Sequence, residues 1–226
     1  MFQVQVCLSM RVPAPFHRTL ACAAHGRTAL SLLVAATLGT LVFAAAITGL
    51  ALAWAYSAPP LRLKLNGWWG NLACGLCYEG LAWITGAAVM LGGQRPSARV
   101  FALALLYSIG AHGIMTLNDF KSIEGDLRTG IGSLPVRLGP DRAARAACWI
   151  MAVPQAAVVA LLVDWGQPLH AAGVGALLAV QLAMMRRFVA APRERAIWYS
   201  GLGVTLYVTG MLVAAFALRA VERGGA

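Results

Sequence analysis

Long apolar runs alternate along this chain with short basic and polar stretches, a spacing that predicts membrane-crossing helices joined by brief loops. Five runs come close to the roughly 20 residues needed to cross a hydrocarbon core: Gly70–Gly92, Val100–Leu117, Ala146–Val163, Leu169–Met185 and Ala196–Leu218. A sixth, Thr28–Tyr56, would be about 43 Å long as one helix, too long for a roughly 30 Å core and too short for two full spans. Gly39 and Thr40 near its middle suit a turn between a clipped helix and a complete one. Pro59 and Pro60 end the second of these, since proline cannot continue a helix. The fold class expected is all-α, a polytopic transmembrane helical bundle, with residues 28–226 as one membrane domain. Residues 1–27 form an N-terminal arm. Arg11, Pro13, Pro15, Arg18 and Arg27 interrupt any apolar core there, so the arm reads neither as a span nor as a signal peptide.

The loops sort by charge. Arg62, Lys64, Lys121, Arg128, Arg137, Arg142, Arg145, Arg186, Arg187, Arg193 and Arg195 fall on one side, and only Arg95, Arg99, Arg219 and Arg223 on the other. Because the Lys and Arg excess stays in the cytoplasm, loops 57–69, 118–145 and 186–195 are expected inside and the C-terminus outside. The composition agrees: 60% of residues are apolar and 12% charged, where soluble domains carry about a quarter. A net charge of +10 on a soluble protein would suggest nucleic acid, but these cations sit between apolar runs, so no nucleic-acid partner is expected. The chain reads as integral to a membrane, with lipid around it. Its five cysteines are odd in number and lie mostly in or beside apolar runs, which argues against a disulfide framework.

Candidate chemistry concentrates in two loops. Asn118-Asp119-Phe120-Lys121-Ser122-Ile123-Glu124-Gly125-Asp126 holds three of the chain's eight acids. If that segment is helical, Asp119 and Asp126 are seven positions apart and share a face; Asn118 adds an amide oxygen, and Glu124 joins only if the helix departs from regularity at Gly125. Clustered carboxylate and amide oxygens suit a hard cation such as Mg²⁺. The same residues also suit an ordinary solvated loop. After Tyr56, Arg62 and Lys64 lie at the same membrane surface and could face a metal-bound phosphate, or could simply anchor the interface together with Trp68 and Trp69. Glu79 stands near mid-membrane, where an ionisable group costs about 2.5–3.5 kcal/mol and marks a functional interior by default. Tyr78, Trp83 and Asn71 are near it in sequence, with Tyr107 and His112 on the next span. His112 reads more readily as a hydrogen-bonded core histidine than as a ligand. Cys74 and Cys77 lack the second pair a zinc site needs, and Gln155 and Gln181 suit hydrogen bonds between helices.

The stretch LAWAYSAPPLRLKLNGWWGNLACGLCYEGLAWITGAAVM, from Leu52 to Met90, and AHGIMTLNDFKSIEGDLRTGIGSLPVRLG, from Ala111 to Gly139, resemble chlorophyll and bacteriochlorophyll synthases, intramembrane prenyltransferases of the UbiA type. The resemblance covers about residues 28–226 and implies some seven of the family's nine spans around a central cavity. It further implies Mg²⁺-dependent transfer of a geranylgeranyl or phytyl group from its diphosphate to the propionate of a chlorophyllide or bacteriochlorophyllide, in a cytoplasmic or photosynthetic intracytoplasmic membrane beside photosynthetic assembly partners. By the same resemblance Asp119, Glu124 and Asp126 are catalytic, with Asp119, Asp126 and Asn118 on the metal. Tyr56, Arg62, Lys64, Asn118 and Lys121 bind substrate, and Glu79 and His112 are further substrate-binding candidates.

One departure counts against a full site. The family's first acidic motif and first two spans have no counterpart, for no Asp or Glu precedes Glu79 and residues 1–27 do not match. The sequence therefore reads as an N-terminally truncated or frame-shifted copy, with a catalytically silent relative or a small membrane transporter as the alternatives.

Overall fold

The computed structural model describes residues 14–224, with side chains from Gly26 to Arg223. The described residues are helical throughout except for short connections: α1 (Ala14–Leu38), α2 (Thr40–Ser57), a 3₁₀ turn at Leu63–Leu65, α3 (Gly67–Gly75), a π-helical segment at Leu76–Leu81, and α4 (Ala82–Met90). They continue as α5 (Ala98–Asp119), two short helices α6 (Ile123–Thr129) and α7 (Leu134–Leu138), then α8 (Pro140–Asp164), α9 (Pro168–Ala190) and α10 (Pro192–Gly224). Among the described residues six helical stretches are long and apolar enough to cross a membrane: Thr40–Ser57, Gly67–Met90, Ala98–Asp119, Pro140–Asp164, Pro168–Ala190 and Pro192–Arg223. Gly26–Leu38 adds a shorter apolar helix. The first part of the arm expected over residues 1–27 lies outside the described residues; from Ala14 onward it runs into the same helix as Thr28–Leu38.

Local chemistry accounts for the boundaries. Gly39, at φ 126° and ψ 161°, separates α1 from α2 at the position expected for a turn, in a conformation that only glycine adopts readily. Asn66 caps α3 by accepting the Trp68 amide at 3.0 Å. Proline opens α8, α9 and α10, where its missing N–H is harmless.

The two ends of the bundle are distinct. At one end Gly39 lies against Gly93, Ser97 donates to Glu222 at 2.7 Å, and Arg99 pairs with Glu222 at 3.9 Å while lying over Trp165. Arg95, Arg99, Arg219 and Arg223, the basic residues of the sparsely charged side, belong to the loop before α5 and the end of α10 that meet there. The opposite end gathers the loops after α2, α5 and α9, and so the eleven cations of the other set. α5 is the most enclosed of the spans. It packs closely because Gly75 of α3 meets the Ser108 carbonyl and Gly113 of α5 itself meets Met151 and the Ala147 carbonyl of α8, the small-residue contacts by which membrane helices associate. Gln181 donates to the Gly203 carbonyl at 2.6 Å, joining α9 to α10 as expected. Gln155 corrects the matching expectation: it is fully buried against Gly210 with neither amide atom hydrogen-bonded.

Candidate active site

Two loops far apart in sequence meet at the basic end. The Gly67 amide donates to the Gly132 carbonyl at 2.8 Å and the Gly132 amide to the Leu65 carbonyl at 3.0 Å, a short parallel bridge between Asn66 and Gly132. The turn bearing Arg62 and Lys64 is thereby tied to the segment that follows the acidic residues. Gly70 packs under Leu63 and Lys64. Arg62 is exposed and takes a left-handed conformation at φ 40°, while Lys64 is partly buried.

The acidic segment is not one continuous helix. α5 stops at Asp119, residues 120–122 turn, and α6 starts at Ile123. The Ser122 hydroxyl donates to Asp126 Oδ2 at 2.8 Å, a local side-chain bond of the kind that competes with helix continuation. Asp126 is buried, and its carboxylate lies within electrostatic reach of Asp119. Tertiary folding thus brings the two carboxylates together across a turn, where helical phase alone would have done so along one face.

Asp119 sits where an acid is locally unfavourable. It ends α5, with no basic residue in the last turn, so its charge opposes the helix dipole at a cost of roughly 0.3–1 kcal/mol. Compensation comes from outside the helix: Asn71 Nδ2 donates to Asp119 Oδ2 at 3.0 Å, and the Leu134 amide is directed at the same carboxylate. Asn71 also reaches Thr116 Oγ1 at 3.3 Å, Thr116 donates to the His112 carbonyl at 3.0 Å, and His112 Nε2 meets the Trp68 carbonyl at 3.1 Å. Tyr56 completes this side, its hydroxyl meeting the Cys74 thiol within electrostatic reach of Asp119.

The remaining candidates are dispersed. Asn118 is exposed and accepts from Lys121 Nζ at 3.4 Å, facing a cation in place of the carboxylates. Glu124 is exposed. Glu79 belongs to the π-helical segment, an irregularity frequent at functional sites. Its carboxylate meets Trp83 within reach of Tyr107 and Tyr207, and Trp83 stacks on Tyr107 with centroids 5.5 Å apart. Of the neighbours sequence gave it, Trp83 and Tyr107 join it, whereas Asn71 and His112 belong to the Asp119 network. His112 also lines an apolar groove of about 320 Å³ with Trp68, Trp69, Leu72, Ile109 and Ile150.

Among the described residues no group of three or more His, Cys, Asp or Glu side chains is arranged to hold a metal alone. The donors present are hard oxygens, and Mg²⁺ asks for only one or two carboxylates beside waters and substrate phosphates. Asp119 and Asp126 fit that demand.

The chain is 55% identical over 195 residues to the bacteriochlorophyll synthase 33 kDa chain of Cereibacter sphaeroides, covering 86% of this chain and 64% of that protein. It is 50% identical to the Rhodobacter capsulatus protein of the same name, over 84% of this chain and 63% of the relative. With the chloroplastic chlorophyll synthase of Arabidopsis thaliana the identity is 38%, over 78% and 45% of the two chains. The chain thus spans less than two thirds of the length of these relatives. No solved structure matches it. The profile of the UbiA prenyltransferase family matches residues 18–208, more than half of the chain. The helical membrane bundle and these similarities lead to one conclusion: the chain belongs to the UbiA prenyltransferase family.

Proposed function

We propose that the chain acts in (bacterio)chlorophyll formation, esterifying the propionate of a chlorophyllide or bacteriochlorophyllide with geranylgeranyl or phytyl diphosphate. The observation that supports this reading is the bridge between the loops of Leu65–Gly67 and Gly132, which ties the turn carrying Lys64 to the segment that follows Asp126. The names of the similar proteins supply the substrate class.

Asp119 and Asp126 would hold Mg²⁺, and Asn118 would join them only by turning its amide oxygen away from Lys121. When bound, the ion would offset charge on the diphosphate and on its departure. Arg62, Lys64 and Lys121 would bind the phosphates from the loops, and Tyr56 would sit beside the allylic carbon. The allylic C–O bond breaks with its electron pair leaving on the diphosphate, and a propionate oxygen bonds to the freed carbon. That carboxylate is ionised at neutral pH, so no protein base has to take a proton. Glu124 stands at the rim, and Glu79 and His112 would meet the apolar parts of the substrates. The excess of Lys and Arg favours the cytoplasmic side for this end; the membrane would be an inner or intracytoplasmic one, where photosynthetic assembly proteins would be neighbours. Residues 28–226 would form the membrane domain.

The test is ester formation from bacteriochlorophyllide and geranylgeranyl diphosphate with Mg²⁺. It uses membranes holding the chain alone or joined to the N-terminal segment of the Cereibacter sphaeroides relative. Ester that forms in either case and is lost on Asp119→Asn supports the reading. Absence of ester from both, with the proteins folded in the membrane, contradicts it.

A further inference from the structure

Asn71 is an amide that the interface of α3 and α5 would be simpler without. It is 8% exposed, and burying an amide is unfavourable unless its hydrogen bonds are made. Its orientation follows from its neighbours. The Thr116 hydroxyl proton is committed to the His112 carbonyl, and an ionised carboxylate has no proton to offer. Both Thr116 Oγ1 and Asp119 Oδ2 can therefore only accept from Asn71, so the NH₂ end must face them, at 3.3 and 3.0 Å. His112, Thr116 and Asp119 recur at intervals of four and three along one face of α5. The first turns of α3 grip that face through the Trp68 carbonyl and Asn71. This grip holds a carboxylate at the end of a helix whose dipole disfavours it.

We infer that Asn71 is a positioning residue, which fixes the Asp119 carboxylate in the orientation that takes a divalent cation. The inference rests on the reading of Asp119 as a cation ligand. Groups that orient a ligand typically contribute 10–100-fold to metal affinity.

The experiment is a mutant cycle on the full chain in detergent, comparing wild type, Asn71→Leu, Asp119→Asn and the double variant. Mn²⁺ affinity is read by electron paramagnetic resonance with geranylgeranyl thiolodiphosphate present, and the thermal midpoint is read in parallel. Asn71→Leu is expected to weaken Mn²⁺ binding about 10–100-fold. Asp119→Asn should weaken it at least as much, and the double variant should be no weaker than Asp119→Asn alone. Asn71→Ser keeps a small donor and should stay within about tenfold of wild type; it also serves if the leucine variant does not fold. Wild-type affinity in folded Asn71→Leu, with Asp119→Asn impaired, overturns the positioning role and leaves the ligand assignment standing. Losses that multiply in the double variant overturn it too, since Asn71 would then act independently of Asp119. Wild-type affinity in Asp119→Asn overturns the ligand assignment and this inference with it.

Discussion

Replacing Gly67 by alanine should uncouple the two loops at the basic end. A Cβ at that position would stand 2.6 Å from the Leu134 nitrogen, 2.9 Å from the Ser133 carbonyl carbon and 3.0 Å from Ser133 Cα. All three are backbone atoms, so no side chain can swing aside. The loops must part by several tenths of an ångström, lengthening the 2.8 and 3.0 Å hydrogen bonds that join them. Overpacking of this kind costs about 1–3 kcal/mol. The functional loss should be larger than the stability loss suggests, because a displacement near 1 Å between binding groups can cost about 10²-fold in rate. Gly86→Ala is the control: nothing lies within 4 Å of its would-be Cβ, and alanine inside a helix is favoured over glycine by roughly 0.5–1 kcal/mol. Thermal midpoint and affinity for geranylgeranyl diphosphate would be measured for both variants in detergent. Equal values for Gly67→Ala and Gly86→Ala would refute the idea that the bridge aligns cations with carboxylates.

Further outcomes are expected elsewhere. With the native cysteines replaced, Thr129→Cys in intact cells should be protected from an impermeant thiol reagent and Arg223→Cys labelled; the reverse pattern would invert the topology. Gln181→Leu removes the 2.6 Å bond to Gly203 and should cost about 0.6–1.7 kcal/mol in unfolding assays. Gln155→Leu, which removes an amide without partners, should be neutral or stabilising. Lys64→Met should weaken diphosphate binding tenfold or more, as expected for a charge-assisted contact of about 1.5–3 kcal/mol, and the remaining affinity should depend less on salt.

Local features were legible where one residue decides the backbone. Gly39 marks the break between α1 and α2, whereas the last three spans start at Pro140, Pro168 and Pro192, one to six residues ahead of the apolar runs that announce them. The charge pattern separated the two ends because it depends only on which loop a residue occupies. The acids of the proposed site stand out in the sequence, but the residues that support them do not. Asn71 reads naturally as a neighbour of Glu79, yet eight residues of helix separate them by about 12 Å along the axis. Depth counted from the shared loop end would have set Asn71 beside Thr116 and Asp119. The bridge between Asn66 and Gly132 left no local signal, since its partners are brought together only by the packing of α3 on α5. Asp126 reaches Asp119 through a turn closed by Ser122, an arrangement that helical periodicity does not foresee.

The central claim is that Asp119 and Asp126 form the cation and diphosphate end of the site. Equilibrium binding of labelled geranylgeranyl diphosphate to the purified chain, with Mg²⁺ and with chelator, tests it most directly. Binding should require Mg²⁺ in the wild type and fall about tenfold or more in both Asp119→Asn and Asp126→Asn, since each removes a charged ligand of a hard cation. Affinity that is indifferent to chelator, or unchanged in both variants, would contradict the account.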